Sequence, residues 1–276
     1  MSYKAILVHV DTRPDSERRV RLAGDLARDH DAALIGLAAG LPRPLIYFAG
    51  LTVMPDIPDM IGLERTQIEA DLKGAAAQFQ AITKGMGLRT EWRAALQLPG
   101  SALTDATNAA DLILVGAPDP HTPQDEYRSF ALGDLLMRVG RPVLVVPPNK
   151  LRLNIRKVLI AWKDVREARR AIADALPFLK RAEKVGIVEV PENSEETASI
   201  GDAKAFLRRH GIEARAEVVA LDKATVAKQL FDFATQNEVD LLVAGAFGHS
   251  RLREWAFGGV TSELLAGCSI ACLLSH

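Results

Sequence analysis

The sequence predicts an α/β protein built from two copies of one parallel-sheet unit, and three observations predict it. The chain echoes itself: the cadence of Tyr3-Lys4-Ala5-Ile6-Leu7-Val8-His9-Val10 returns at Ile155-Arg156-Lys157-Val158-Leu159-Ile160-Ala161-Trp162. Asp111-Leu112-Ile113-Leu114-Val115-Gly116-Ala117 likewise returns as Asp240-Leu241-Leu242-Val243-Ala244-Gly245-Ala246. Short apolar runs then alternate with stretches of helical period, the pattern of right-handed βαβ crossovers. The runs are also continuous rather than alternating, as strands buried on both faces require.

In the first half, strands are expected near 4–10, 33–38, 89–95, 112–116 and 143–146. The first of them is a buried run that closes on the polar Asp11. Helices are expected near 15–30, 63–85, 101–109 and 129–139, the first with Val20, Leu22, Ala23, Leu26 and Ala27 on one side. In the second half the strands fall near 157–162, 184–190, 214–220, 240–245 and 270–274, and the helices near 166–180, 196–210, 223–236 and 259–267. The boundary is placed at Pro147-Pro148-Asn149-Lys150, since neither proline can donate to a strand ladder, so the domains are 1–148 and 149–276. One segment breaks the symmetry. Residues 41–62 (LPRPLIYFAGLTVMPDIPDMIG) are proline-rich yet apolar, where the second half has only Pro191-Glu192-Asn193-Ser194. It reads as a long loop that packs on its own domain or a partner, or that walls a ligand.

Composition narrows the function classes. The chain has 276 residues, of which 48% are hydrophobic and 25% charged, enough apolar surface to fold. Its 34 basic and 35 acidic residues leave no basic excess for nucleic acid. No apolar run is long enough for a membrane span, and the N-terminus meets a charge too early for a secretory signal, so a cytoplasmic location is expected. Cys268 and Cys272 are two small hydrophobes, not a disulfide framework. The six histidines show no metal-binding spacing, and no Walker loop, nucleophile elbow or catalytic triad is found. The pairs Arg18-Arg19 and Arg169-Arg170 read as solvated helix faces.

The segment with most chemistry follows the fourth strand of the second half: Gly245-Ala246-Phe247-Gly248-His249, then Gly258-Gly259-Val260-Thr261. Ligands of open parallel sheets sit beyond the carboxyl ends of the strands, where glycines let backbone amides approach an anion and a helix start offers unpaired N–H groups. Tight turns without a ligand are the plain alternative.

This G-x2-G-x9-G pattern on the fourth strand of an α/β repeat resembles the universal stress protein family, and the two halves resemble tandem domains of it. The resemblance implies two Rossmann-like open parallel five-stranded sheets of order 3-2-1-4-5 with helices on both faces. It also implies a pseudo-dimer, formed inside one chain through the last strand of each domain; pairing of those edges between chains would instead make a homodimer. In nucleotide-binding members the glycine pattern holds ATP. Carried over, Gly245, Gly248 and Gly258 match, while Gly259 stands where a hydroxyl residue is usual and Thr261 lies two residues on. Asp11 keeps the usual acidic end of the first strand, but the second half has Trp162-Lys163 there; Lys163 can meet a phosphate as a point charge. His249 and Val260 complete the candidate set.

The turn of the first half, Gly116-Ala117-Pro118-Asp119-Pro120-His121, lacks the second glycine and carries an anion, and Gly133 is followed by Asp134. That half is expected not to bind ATP. The resemblance thus implies a stress-response or signalling protein holding an adenine nucleotide (ATP, AMP or ADP, with or without Mg) in its second half. At most slow hydrolysis is expected, since no base or metal-clamping carboxylate pair stands out. The alternatives are a carrier of a small apolar ligand, with a residual glycine loop, and a non-catalytic interaction module.

Overall fold

A computed structural model describes residues 2–43, 57–118, 125–190, 199–219, 225–246 and 270–276. The first half runs β1 (Ala5–His9), α1 (Ser16–His30), β2 (Ala33–Ala39), α2 (Ile57–Thr83), β3 (Thr90–Ala95), α3 (Pro99–Ala106), a 3₁₀ turn (Thr107–Ala109), β4 (Leu112–Gly116), α4 (Leu132–Val139) and β5 (Val143–Val146). The second half runs β6 (Lys157–Trp162), α5 (Arg166–Leu179), β7 (Lys184–Glu189), α6 (Ile200–Arg209), β8 (Ala214–Val218), α7 (Val226–Gln236), β9 (Leu241–Gly245) and β10 (Ala271–Ser275). The helix expected near 259–267 lies outside the described residues.

The strands form one ten-stranded sheet in the order β3-β2-β1-β4-β5-β10-β9-β6-β7-β8. Neighbours within each half are parallel, whereas β5 and β10 are antiparallel, with Cys272 opposite Val145 and Leu274 opposite Val143. Each half keeps the expected order 3-2-1-4-5, and the two last strands pair as expected, which joins the two five-stranded sheets into one. The physical reason lies in β5 and β10, whose residues are all buried and whose backbone groups would be left unpaired if either strand were an edge.

One structural device accounts for the echoing aspartates. Asp111 Oδ2 accepts from the backbone N–H groups of Lys4 (2.7 Å) and Ala5 (3.1 Å), tying the start of β1 to that of β4. Asp240 Oδ2 does the same for Arg156 (3.0 Å) and Lys157 (2.9 Å). Side chains then alternate between two apolar layers. Ile6, Val8, Val158 and Ile160 face the layer shared with α1, α2, α5 and α6, and Leu7, Ile113, Leu159 and Leu242 face that shared with α3, α4 and α7. Both layers run across the join. Tyr3 of the first half donates its hydroxyl to the carbonyl of Asp174 in α5 at 2.7 Å, and its ring lies 5.2 Å from that of Phe178.

The segment 41–62 is not all loop, because α2 begins at Ile57. Pro58 is compatible with this start, since the first turn of a helix leaves its N–H groups unbonded within the helix. Thr225 caps α7, its hydroxyl accepting from the N–H of Lys228.

Candidate functional site

The sheet register aligns the two halves residue by residue. Val8 lies opposite Leu114, and Ile160 lies opposite Val243. Asp11 therefore corresponds to Lys163, Arg13 to Val165, Asp15 to Glu167, Ser16 to Ala168 and Arg19 to Ala171. All stand where the first strand of a half turns into its first helix, beyond the carboxyl ends of the strands.

In the first half this turn is closed by its own charges. Arg19 is 1% exposed. It donates to the carbonyl of His9 (2.8 Å), to Asp15 Oδ2 (2.8 Å) and to Asp11 Oδ1 (2.8 Å). Arg13 adds a bond from Nε to Asp11 Oδ2 at 2.8 Å, and Ser16 Oγ accepts from the N–H of Asp11. The reading of Arg19 as part of a solvated face is thus corrected: its neighbour Arg18 is half-buried, and Arg19 points under the sheet end, where two carboxylates and a carbonyl satisfy it. Burial pushes the Asp11 carboxyl up, but Arg19, His9 and Arg13 outweigh it and hold it far below the usual carboxylate range. Burial lowers His9 to about 4, so its ring is neutral; it packs edge-on against Phe130. A Cβ on Gly116 would stand 2.4 Å from Arg19 Nη1 and 2.8 Å from Arg13 Nη2, so the guanidinium groups occupy the space over this strand end.

In the second half the plug is missing. Small Ala168 and Ala171 replace Ser16 and Arg19, and half-buried Lys163 replaces Asp11. Glu167 is buried, and Arg166 donates to its Oε1 from Nε at 2.9 Å and lies 2.8 Å away through Nη2. Burial raises the Glu167 carboxyl, but a backbone hydrogen bond and Arg166 lower it further, so it is charged and neutralised by its neighbour. Val165 stands at the N-cap of α5 and offers no side-chain acceptor. Within the first turn the Glu167 carboxylate takes a backbone hydrogen bond, and the partial positive charge of the remaining N–H groups adds to Lys163.

Of the residues singled out from sequence, Trp162, Lys163 and Gly245 are described, and they come together. β6 and β9 are neighbours, with Ala161 opposite Ala244, which sets Trp162 beside Gly245. Trp162 is a core residue of the layer under α5 and α6, and its indole N–H donates to Ser199 Oγ at 2.8 Å. Gly245 has a packing role: a Cβ there would lie 2.5 Å from the backbone N of Ala168. Only glycine lets the first turn of α5 come so close to the end of β9. Gly248, His249, Gly258, Gly259, Val260 and Thr261 lie outside the described residues, as do Asp119, Pro120 and His121.

Sequence reasoning missed Arg166, Glu167 and His276. The last has Nδ1 3.0 Å from the carbonyl of Ala246 and faces Glu167 electrostatically. Alignment of the halves through their glycines would have found Glu167; nothing in the sequence marks His276. Among the described residues, no three His, Cys, Asp or Glu side chains come together to hold a metal ion, and no helix is long and apolar enough to cross a membrane.

Comparison with known proteins agrees with this geometry. Residues 154–276 match the model of the universal stress protein family. A curated universal stress protein of Synechocystis is 26% identical over 186 residues, which is 62% of this chain and 60% of that protein. The crystal structure of a universal stress protein from Archaeoglobus fulgidus superposes with a TM-score of 0.73 at 14% identity, covering 98% of this chain and 95% of its own. A functionally unknown protein from Pseudomonas aeruginosa gives 0.55 at 15% identity, covering 99% and 92%. These whole-chain likenesses show a shared fold. The sequence match to the family model lies in the second half.

Proposed function

We propose that this chain is a stress-response or signalling protein of the tandem universal stress type, and that it holds one adenine nucleotide, in its second half. One observation carries the reading. The first-half turn is filled by Arg13 and Arg19 with their carboxylates, whereas its counterpart has Lys163 in place of Asp11, with the first turn of α5 beside Gly245. This turn fits an anionic group such as a phosphate, because Arg166 and Glu167 neutralise each other and Lys163 adds a positive charge to the helix start. Gly248, His249, Gly258, Gly259, Val260 and Thr261 would complete the cradle. Any hydrolysis would be slow, as the described residues of the turn include no free base.

Titration calorimetry with ATP tests this. The expected result is one nucleotide per chain, lost in Gly248→Val, whose side chain blocks close backbone approach. Equal affinity of wild type and variant would remove the glycine loop from the site. Two nucleotides per chain would show that the first-half plug opens.

A second reading, carriage of a small apolar ligand, draws on Leu63 and Ile61. Both are exposed on α2, which grows directly out of the proline-rich apolar segment. Mass spectrometry of small molecules that co-purify separates the two: adenine nucleotide supports the first, a lipid-like molecule the second.

A further inference from the structure

The two halves also differ at the opposite end of the sheet, on the face covered by α3 in one and α7 in the other. Ala5 is paired with Ala33, and Lys157 with Lys184. Two residues further along β2 and β7 stand Ile35 and Gly186. Ile35 is buried and fills the layer beneath α3. Gly186 has no side chain there, and Leu159 leans in beside it, its Cδ1 3.1 Å from where a Cβ on Gly186 would stand. The helix above has changed in the complementary sense. Asp105 precedes the buried Ala106 of α3 and is exposed; Phe233 precedes the buried Ala234 of α7 and is half-buried against the layer. An isoleucine has been removed from the floor and an aromatic ring added to the wall. Between them opens a cleft of about 720 Å³, floored by Leu159 and Gly186 and walled by Phe233 and Val239. Clefts of this volume hold small organic molecules.

The rim charges are of both signs. Lys157 is paired with Glu238 at 2.6 Å, and Arg215 with Glu217 at 2.7 Å. Lys184 and Glu213 line the same cleft, and neither has an ion pair among the described residues. Val185 faces Ala214 across β7 and β8, so Lys184 and Glu213 are neighbours one step earlier in the ladder. Lys184 also faces Glu238 electrostatically, so a bare glycine backbone, an aromatic wall and one charge of each sign outside the rim's ion pairs define the ligand chemistry. A flat ring fits between Gly186 and Phe233, with a carboxylate toward Lys184 and an ammonium toward Glu213.

We propose that this cleft is a second small-molecule site, separate from the glycine-loop end of the sheet, that takes a planar aromatic zwitterion of the aromatic amino acid class. L-tryptophan, tryptamine (no carboxylate) and indole-3-propionate (no ammonium) are the probes, followed by ligand-observed NMR titration on the full chain. L-tryptophan is expected to saturate with a dissociation constant of about 1 mM or below, a loose value suited to an open cleft. Each single-charge probe is expected to bind at least fivefold more weakly. Gly186→Ile, which restores the residue of the first half, is expected to abolish binding. Lys184→Ala, at an exposed position that does not threaten folding, is expected to weaken L-tryptophan to the level of tryptamine while leaving ATP affinity unchanged. Equal binding of the three probes, unchanged L-tryptophan binding in Lys184→Ala, or no saturable binding by wild type would each overturn the proposal. A loss of ATP binding in Gly248→Val with L-tryptophan binding intact keeps the two sites apart.

Discussion

At the end of β1, four charged side chains (Asp11, Arg13, Asp15 and Arg19) close the turn on themselves. At the end of β6 the same places hold Lys163, Val165, Glu167 and Ala171. The backbone layout is shared, down to the glycine at the end of the neighbouring strand. What differs is what stands over that glycine: guanidinium groups over Gly116, and the helix backbone itself over Gly245. One repeat has gathered four charges into a single internal network, and the other has one ion pair, Arg166 with Glu167, beside Lys163. A repeated fold therefore sets where a site can be, and a handful of side chains at one turn decides which charges stand there.

The largest expected effect tests what the halves share. Val145 is fully buried opposite Cys272 where the halves meet. Val145→Asp would leave an unpaired carboxylate there and cost about 5 kcal/mol or prevent folding. Urea unfolding that keeps the wild-type midpoint would show that the join between β5 and β10 contributes nothing.

Removing the plug comes next. Arg19→Ala strips three hydrogen bonds from a buried network and leaves Asp11 and Asp15 with Arg13 alone, at a cost of about 3–4 kcal/mol. Ala171→Ser at the matching place in the second half should change stability by less than about 1 kcal/mol, since no network depends on it. Chemical denaturation of both variants checks the contrast, and similar losses would erase it.

Acid should also act through the first half. His9 is held at about 4 in the fold by burial, below its ordinary 6.5. Between those two values the unfolded chain binds more protons than the folded one, so stability falls as pH drops from 6.5 toward 4. The loss attributable to His9 is about 3 kcal/mol, and His30, lowered to about 4 by burial and Arg181, acts in the same direction. The contribution of Asp11 has the depressed-carboxylate form: present above its unfolded value and lost only at still lower pH. Urea titrations at pH 7, 5.5 and 4 should show the fall, and His9→Phe should flatten it. An equally steep fall in His9→Phe would assign it elsewhere. Ala161 stands at the matching place in the second half and has nothing to titrate.

The smallest effect separates the two glycines. Gly245→Ala sets a methyl group against the backbone of α5 and should cost about 2–3 kcal/mol, whereas Gly116→Ala meets the far ends of arginine side chains, which can give way, and should cost about 1 kcal/mol. Thermal melting of the pair checks the order, and a reversed order would mean that Arg19 is held more rigidly than the helix.

The fold was largely legible from the chain. Continuous runs such as Leu112–Val115 and Leu241–Ala244 read as strands because burial on both faces removes the need for polar alternation. The echo of Asp111 in Asp240 marked the repeat, although its reason, a carboxylate clamp on the neighbouring strand, needs two segments more than 80 residues apart in sequence. The candidate site was legible only as a list of types. Trp162 read as a packing residue at the ligand-side end of its strand, and it is a core residue bonded to Ser199, because strand alternation turns it toward α5 and α6. Arg19 looked solvated because an arginine beside an arginine on an amphipathic helix usually is; its burial depends on Asp11, Asp15 and the carbonyl of His9 converging from outside the helix.

The sequence by itself determined the α/β class, the repeat and the parallel strands, since these follow from periodicity and local composition. Tertiary structure alone decided the register in which β5 and β10 join, that the first-half turn is filled by its own guanidinium groups, and that Gly186 beneath Phe233 lines a cleft. Each of these depends on which side chains meet across distant strands. Hydrophobic pattern encodes the burial of a residue's own segment, but not the identity of the neighbour that pairs with it or fills its space.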